Sequence, residues 1–175
     1  GGFGWPVPDG GTKASFTALD RFYGWYAHTT DFIAPAYPRF QDIYAQAGTQ
    51  KSWGSIDDQA GKTYIETLTR ALRSRAPIIQ IATWNDWGEG TQIEPSVEFG
   101  YRDLEATQRL RKKYIDPSFP YTPQDLRLPA RLYELRKRSA GNQAIQARLD
   151  RVSAQLEAGE TRRAGKLLAQ IGKAD

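Results

Sequence analysis

Asp86, Glu89 and Glu94 fall within nine positions of the stretch IATWNDWGEGTQIEP (residues 81–95), interleaved with Trp84, Trp87, Gly88 and Gly90. Two carboxyl groups flanking one bond are what glycosidic cleavage requires. One donates a proton to the leaving oxygen, and the other attacks or removes a proton. Two acids in a partly dry hollow resist ionising together, which pushes one upward and makes it a usable general acid. Asp86 and Glu89 are therefore the candidate catalytic pair. Their three-residue separation would put them on opposite faces of a regular strand, so the backbone has to bend between them. Gly88 and Gly90 permit that bend. Trp84 and Trp87 offer flat apolar surfaces of the kind that sugar C–H faces cover. Asn85 is a candidate hydrogen-bond donor to a sugar, and Glu94, before Pro95, either orients the loop or binds a hydroxyl. The competing reading makes Asp86 and Glu89 a helix cap or a pair of ionised surface acids.

The rest of the composition narrows the chemistry. There is no cysteine, which excludes disulfides and thiolate metal sites, and a single histidine, His28, argues against a zinc site or a Ser-His-Asp triad. No cofactor or metal is expected. The 175 residues, 39% of them hydrophobic, suffice for a domain with a real core, and no apolar run is long enough to span a bilayer. With Gly1 first and no methionine, the sequence reads as lacking its translation start, so any targeting segment lies outside it. Residues 1–123 hold 13 Lys and Arg against 14 Asp and Glu, whereas residues 124–175 hold 11 against 6. The basic character belongs to the tail. No aromatic residues interleave with those cations, so the tail reads as a solvated helical face and not as a nucleic-acid surface.

The elements that must position the pair follow from periodicity. Phe16, Leu19, Phe22, Tyr23 and Tyr26 recur at helical spacing over 16–27, and DFIAPAY (31–37) reads as a buried strand ended by Pro38. Tyr64, Ile65, Leu68, Ala71 and Leu72 mark a helix over 62–76 that Pro77 stops. Ile78, Ile79 and Ile81 then make a strand, and a third helix covers 101–114. GGFGW at the start reads as the end of one more strand. Strands alternating with helices indicate βα units and a parallel sheet. The two long aromatic loops after the strands are then the active face, as in (β/α) barrels. Tyr37 at the end of its strand, Trp53 in the first long loop and Trp5 after the opening strand are candidate substrate-facing groups, with core packing the other reading of Tyr37. Asp57 and Asp58, near Trp53, read as a solvated turn.

A closed barrel needs eight strands, so residues 1–115 read as the C-terminal βα units of a TIM-like barrel. Residues 116–141 are a proline-spaced linker with a short helix packing on the barrel. Residues 142–175 are a helical hairpin turning at Gly159, with Ile145, Leu149, Val152 and Leu156 facing Leu167, Leu168 and Ile171.

TWNDWGEGTQIEPSVEFGYRDLE (83–105) resembles the motif after the last barrel strand in the family 99 and 71-like glycoside hydrolases, the endo-α-mannosidase-like proteins. DPSFPYTPQDLRLPARLYELRK (116–137) is similar to the region downstream of it in bacterial members, and the resemblance spans about residues 30–138. It implies a (β/α)8 barrel acting on α-mannosides with retention and without a metal. The second carboxylate of the motif, matched by Glu89, would be the general acid/base. The first, matched by Asp86, would deprotonate the substrate's own 2-hydroxyl, which then attacks the anomeric carbon. Asp86 stands where the family carries Glu, and Gly88 stands where the endo-mannosidases carry a larger polar residue.

The expectation is thus an endo-acting, retaining glycoside hydrolase of α-mannosides or related α-glycans, with the fragment inactive alone. Its partners would be an oligo- or polysaccharide and the missing N-terminal barrel segment, with no nucleic acid. Its location, through the resemblance, would be periplasmic or secreted. The alternative is a carbohydrate-binding or polysaccharide-assembly protein that keeps the barrel without turnover.

Overall fold

The structure, a computed structural model, describes residues 1–174 and divides into two compact units, Gly1–Ser118 and Phe119–Asp175. In the first unit, β1 (Gly2–Phe3), β2 (Phe32–Ala36) and β5 (Ile78–Ile81) form a parallel sheet in that order, with Gly2 opposite Phe32 and Ile33 opposite Ile78. The α/β alternation read from the sequence is present. Among the described residues the parallel sheet has three strands. Two short strands, β3 (Phe40–Gln41) and β4 (Ser55–Ile56), pair antiparallel within the long connection that follows β2.

Alternate residues of β2 explain how the helices close over the sheet. Phe32, Ala34 and Ala36 share one face and are buried with Tyr64, Leu68 and Ala71 of α2 (Lys62–Arg73) and Ala106 and Leu110 of α3 (Arg102–Tyr114). The two alanines let the α2 backbone come near. Phe32 fills the remaining space against Phe22 of α1 (Gly11–Trp25) and Tyr26 just after it, with ring centroids 5.9 and 5.2 Å away. α1 begins five residues before the apolar spacing at Phe16 suggests, because Gly10 at φ 77° turns the chain into it and Thr12 and Lys13 continue the helix on its exposed side. α1 ends at Trp25, so His28 lies past the helix, exposed.

The second unit is three helices. α4 (Leu128–Arg138), α5 (Gln143–Glu157) and α6 (Thr161–Ala174) bury Leu128, Leu135, Leu149, Val152, Ala164, Leu168 and Ile171 in one cluster. Here the domain reading needs correcting. α4 is not a linker helix apart from the hairpin but its third member, since Leu128 and Leu135 supply apolar surface that two narrow stripes cannot supply each other. Pro129 belongs to its first turn, where a missing N–H costs nothing. The Asn142 side chain accepts from the Ile145 amide and caps α5, and Gly159 at φ 74° makes the turn to α6. No helix among the described residues is long and apolar enough to cross a membrane.

Candidate active site

The loop after β5 folds back on itself. The Thr83 amide donates to the Thr91 carbonyl at 3.0 Å, the two threonine hydroxyls meet at 2.9 Å, and the Thr91 amide donates to Asp86 O at 3.2 Å. Inside this closed turn the Glu89 amide donates to Asp86 Oδ1 at 3.0 Å. Asp86 and Glu89 therefore share one turn, with one oxygen of Asp86 accepting a backbone amide inside it; neither acid caps the next helix, which starts after Tyr101 without a side-chain cap.

The bend is made by one glycine. Gly90 has φ 64°, and a Cβ there would lie 3.0 Å from the Gln41 carbonyl oxygen. Gly88 is not in the left-handed region, and a Cβ on it would meet only Asp86 Oδ1, at 3.4 Å. Gly90→Ala is expected to cost about 1–2 kcal/mol for the left-handed backbone, whereas Gly88→Ala stays within about 0.5 kcal/mol. Paired denaturant melts check this, and equal costs would contradict the assignment of the bend.

The turn is docked on the connection after β2. Gln41 N–H donates to Glu89 O at 2.8 Å and Ile43 N–H to Gly88 O at 3.0 Å, extending the β3 edge by two bonds. That docking brings Tyr44 against Glu89, whose Oε1 accepts the tyrosine O–H at 3.0 Å. Asp42 holds the approach. It accepts from Trp53 N at 2.8 Å, Ser52 Oγ at 3.1 Å and Tyr44 N at 3.3 Å, folding residues 42–53 into a loop. Trp53 then stacks on Phe40 (6.5 Å, 11°) and meets Tyr44 edge-on at 5.7 Å.

Glu89 is 7% exposed. Burial pushes its carboxyl above the ordinary 4.5, the charges of Asp86 and Asp42 push the same way, and the Tyr44 hydrogen bond pulls against them. Tyr44 is raised in turn, first by donating to that carboxylate. Tyr44→Phe removes a donor that favours the ionised form, so Glu89 is expected to hold its proton to higher pH. Wherever Glu89 acts as an acid, the alkaline limb of the pH–rate profile should move upward. An unmoved limb would contradict the coupling.

The other candidates separate. Trp84, Asn85 and Trp87 are exposed on the turn, and Glu94 Oε2 accepts from Trp87 Nε1 at 3.3 Å, fixing that indole. Tyr37 is a correction. It is 1% exposed, its hydroxyl is 2.9 Å from Ser15 Oγ, and it packs with Leu19, Phe40 and Ile56, because the strand turns its side chain inward beneath β3. Trp5 sits apart, in a cavity of about 290 Å³ shared with Phe22 and Trp25. The Asp58 side chain is likewise no solvated turn. It accepts from Arg102 at 2.6 and 2.9 Å and from Arg39 Nε at 3.1 Å, while Arg39 also pairs with Asp103. Among the described residues no group of three or more His, Cys, Asp or Glu is arranged to hold a metal ion.

Sequence reasoning missed Tyr44, Asp42 and Arg39. All three lie in a connection without periodicity; the one available signal was a tyrosine and an acid packed among Trp53 and Phe40 in a loop too long to be idle.

A larger cavity, about 1090 Å³, opens beside the turn. Trp87, Gly90 and Gln92 line it together with Arg39, Asp57 and Phe99, but Asp86 and Glu89 do not. The carboxyl pair and this cavity are neighbours, not one space.

Residues 50–107 match the family described as Glycosyltransferase WbsX. A solved structure of the GH99 endo-α-mannosidase from Bacteroides thetaiotaomicron in complex with bis-tris propane is 26% identical, with 63% of this chain and 40% of that chain covered and a TM-score of 0.46. A second structure of the endo-α-mannosidase is 27% identical over 63% and 38%, with a TM-score of 0.42. No curated protein matches the chain. The chain is thus similar, over the stretch that carries Asp86 and Glu89, to the WbsX glycosyltransferase family, and it spans about two fifths of the length of the endo-mannosidases it matches.

Proposed function

We propose that this chain carries the acid/base loop of a (β/α)8 glycoside hydrolase that cleaves α-mannosides or related α-glycans internally and with retention. Glu89 is the general acid/base and Asp86 its partner. The observation that carries the reading is the Glu89 carboxyl itself: nearly buried, hydrogen-bonded to Tyr44, and sharing a closed turn with a second acid and two exposed indoles. In that role Glu89 protonates the leaving glycosidic oxygen while Asp86 takes the proton of the sugar's 2-hydroxyl, whose oxygen closes on the anomeric carbon. Glu89 then takes a proton from the water whose oxygen bonds to the anomeric carbon, the bond from that carbon to the 2-oxygen breaks, and Asp86 returns its proton to the 2-oxygen, so the α configuration returns. Trp84 and Trp87 cover the C–H faces of the ring, and Asn85 hydrogen-bonds to a hydroxyl.

The test is the anomer first released from an α-linked manno-oligosaccharide, followed by proton NMR. The α product appearing first supports the mechanism, and the β product contradicts it.

Asp86 Oδ1 accepting the Glu89 amide favours a second reading, in which Asp86 is structural and the site binds glycans without cleaving them. The Asp carboxyl reaches about 1.5 Å less far than Glu, a displacement that costs a reaction ~10²-fold. Glycan binding with no product over days would favour it. The similarity to a family described as glycosyltransferases makes an added sugar acceptor a useful third arm, because transfer and hydrolysis give different products from the same acid.

A further inference from the structure

We propose that residues 42–54 form a lid over Glu89, latched by Tyr44, which lifts before a glycan reaches the acid. The inference rests on the reading of Glu89 as general acid and adds a gate to it. The segment is an Ω-shaped loop. Its ends are held together by the β3–β4 ladder, with Phe40 opposite Ile56 and Gln41 opposite Ser55. Phe40 and Ile56 are buried in the core beneath, so the base is fixed. Above the base, Ile43 and residues 45–53 are exposed. A segment with so little buried apolar surface opens at the low end of a protein's stability range.

The loop is nonetheless one body. The Asp42 carboxylate gathers its two ends by accepting from Trp53 N, Ser52 Oγ and Tyr44 N, and Thr49 N–H donates to Tyr44 O at 3.1 Å across its middle. It meets the turn through Ile43 N–H to Gly88 O and Tyr44 O–H to Glu89 Oε1. Gly54, at φ 115°, carries it into β4, and a Cβ there would lie 2.6 Å from the Pro8 carbonyl oxygen. Glycine at that exit can absorb the dihedral change of a swing.

What the lid controls follows from what it covers. A general acid has to touch the glycosidic oxygen. Glu89 is buried, gives Oε1 to Tyr44, and stands outside the neighbouring cavity of about 1090 Å³. Both feet of the loop, Gln41 and Ser55, are walls of that cavity. Lifting the loop about those feet takes Tyr44 off the carboxyl and opens the acid toward the cavity.

Amide hydrogen exchange of the full chain, followed by NMR, tests the motion without any glycan. The Gln41 and Ile43 amides both donate to the turn, at Glu89 O and Gly88 O, but the first belongs to the base and the second to the lid. Ile43 is expected to exchange at least about tenfold faster than Gln41, at a rate that low urea leaves unchanged, because a local opening exposes little surface. Tyr44→Phe removes a bond to a charged acceptor and should speed Ile43 about tenfold while Gln41 stays as it was. Trp53→Ala removes the stacking on Phe40 at the other end of the loop and should speed the same Ile43 amide, the mark of a loop that lifts as a unit. An Ile43 rate equal to that of Gln41, or unmoved by either variant, would overturn the lid.

The gate is tested with the chain joined to the rest of its barrel and with Glu89→Gln to prevent turnover. Association of an α-linked manno-oligosaccharide should speed on adding Tyr44→Phe by the factor by which Ile43 exchange rises in the same background, since only the open fraction binds. Faster exchange with unchanged association would show a loop that moves without gating, and would overturn the gate while leaving the acid at the turn standing. Failure to bind any manno-oligosaccharide would overturn the glycan reading and the gate together, with the exchange result on the loop unaffected.

Discussion

Under the proposed hydrolase reading, and with the chain joined to the rest of its barrel, Glu89→Gln is expected to lower hydrolysis of an α-mannoside by ~10²–10⁴-fold, the range that a positioned general acid contributes. Glutamine keeps the shape and can still accept the Tyr44 O–H, so the loss reports the missing proton and not a collapsed loop. A substrate whose leaving group needs no protonation should lose far less in the first step. Stability supplies a readout free of turnover. The folded carboxyl of Glu89 is raised above 4.5, chiefly by burial. Its contribution is therefore full below that value and is lost as pH rises through the folded one, because the folded protein then carries a buried charge that the unfolded chain hydrates better. The variant lacks that loss, so its stability relative to the parent should climb between acid and neutral pH. Equal turnover by parent and variant would remove Glu89 from the chemistry, and a flat stability difference would remove the burial effect.

Arg39→Met carries the largest expected structural cost, about 3–5 kcal/mol, the penalty of breaking a buried ion pair from one side. The Arg39 side chain is 6% exposed and that of its partner Asp103 is 4% exposed. The guanidinium joins four elements at once: the chain after β2, Asp58 before α2, the Gln92 carbonyl and the first turn of α3. Arg102 reaches both carboxylates from the other side, and Phe99 stacks beneath both arginines. Removing Arg39 leaves Asp103 buried with a single cation. Arg39→Lys should restore little, since the donors of one compact ammonium cannot span the separated acceptors that the three nitrogens of the planar guanidinium reach. Urea unfolding measures the effect. A loss below about 1 kcal/mol, typical of an exposed pair, would mean that the network is loose.

Much of the positioning scaffold was readable because it is periodic. The helical faces at Tyr64, Leu68 and Ala71 and the apolar run Ile78–Ile81 give helix and strand directly, and Pro77 divides them. The turn at Asp86–Glu89 was readable for another reason: acids three residues apart meet only where the backbone bends, and a glycine follows the second acid, at Gly90. Three kinds of information were hidden. Tyr37 sits where a strand hands its end to the active face, and only its packing against Phe40 of β3 and Ile56 of β4 decides that it turns inward. Tyr44 meets Glu89 across 45 residues, through backbone bonds between the two loops that no side-chain pattern announces. The place of α4 in the helical unit follows from how much apolar surface α5 and α6 leave uncovered, a property of the folded pair.

The titration of Glu89 itself bears most directly on these claims. With the glutamate side chains labelled, the carboxyl carbon of Glu89, assigned by its absence in Glu89→Gln, can be followed by NMR from acid to alkaline pH. A midpoint above 4.5 that rises further in Tyr44→Phe is the result expected from a buried acid steadied by one tyrosine. A midpoint at or below 4.5, unmoved by the tyrosine substitution, would contradict it.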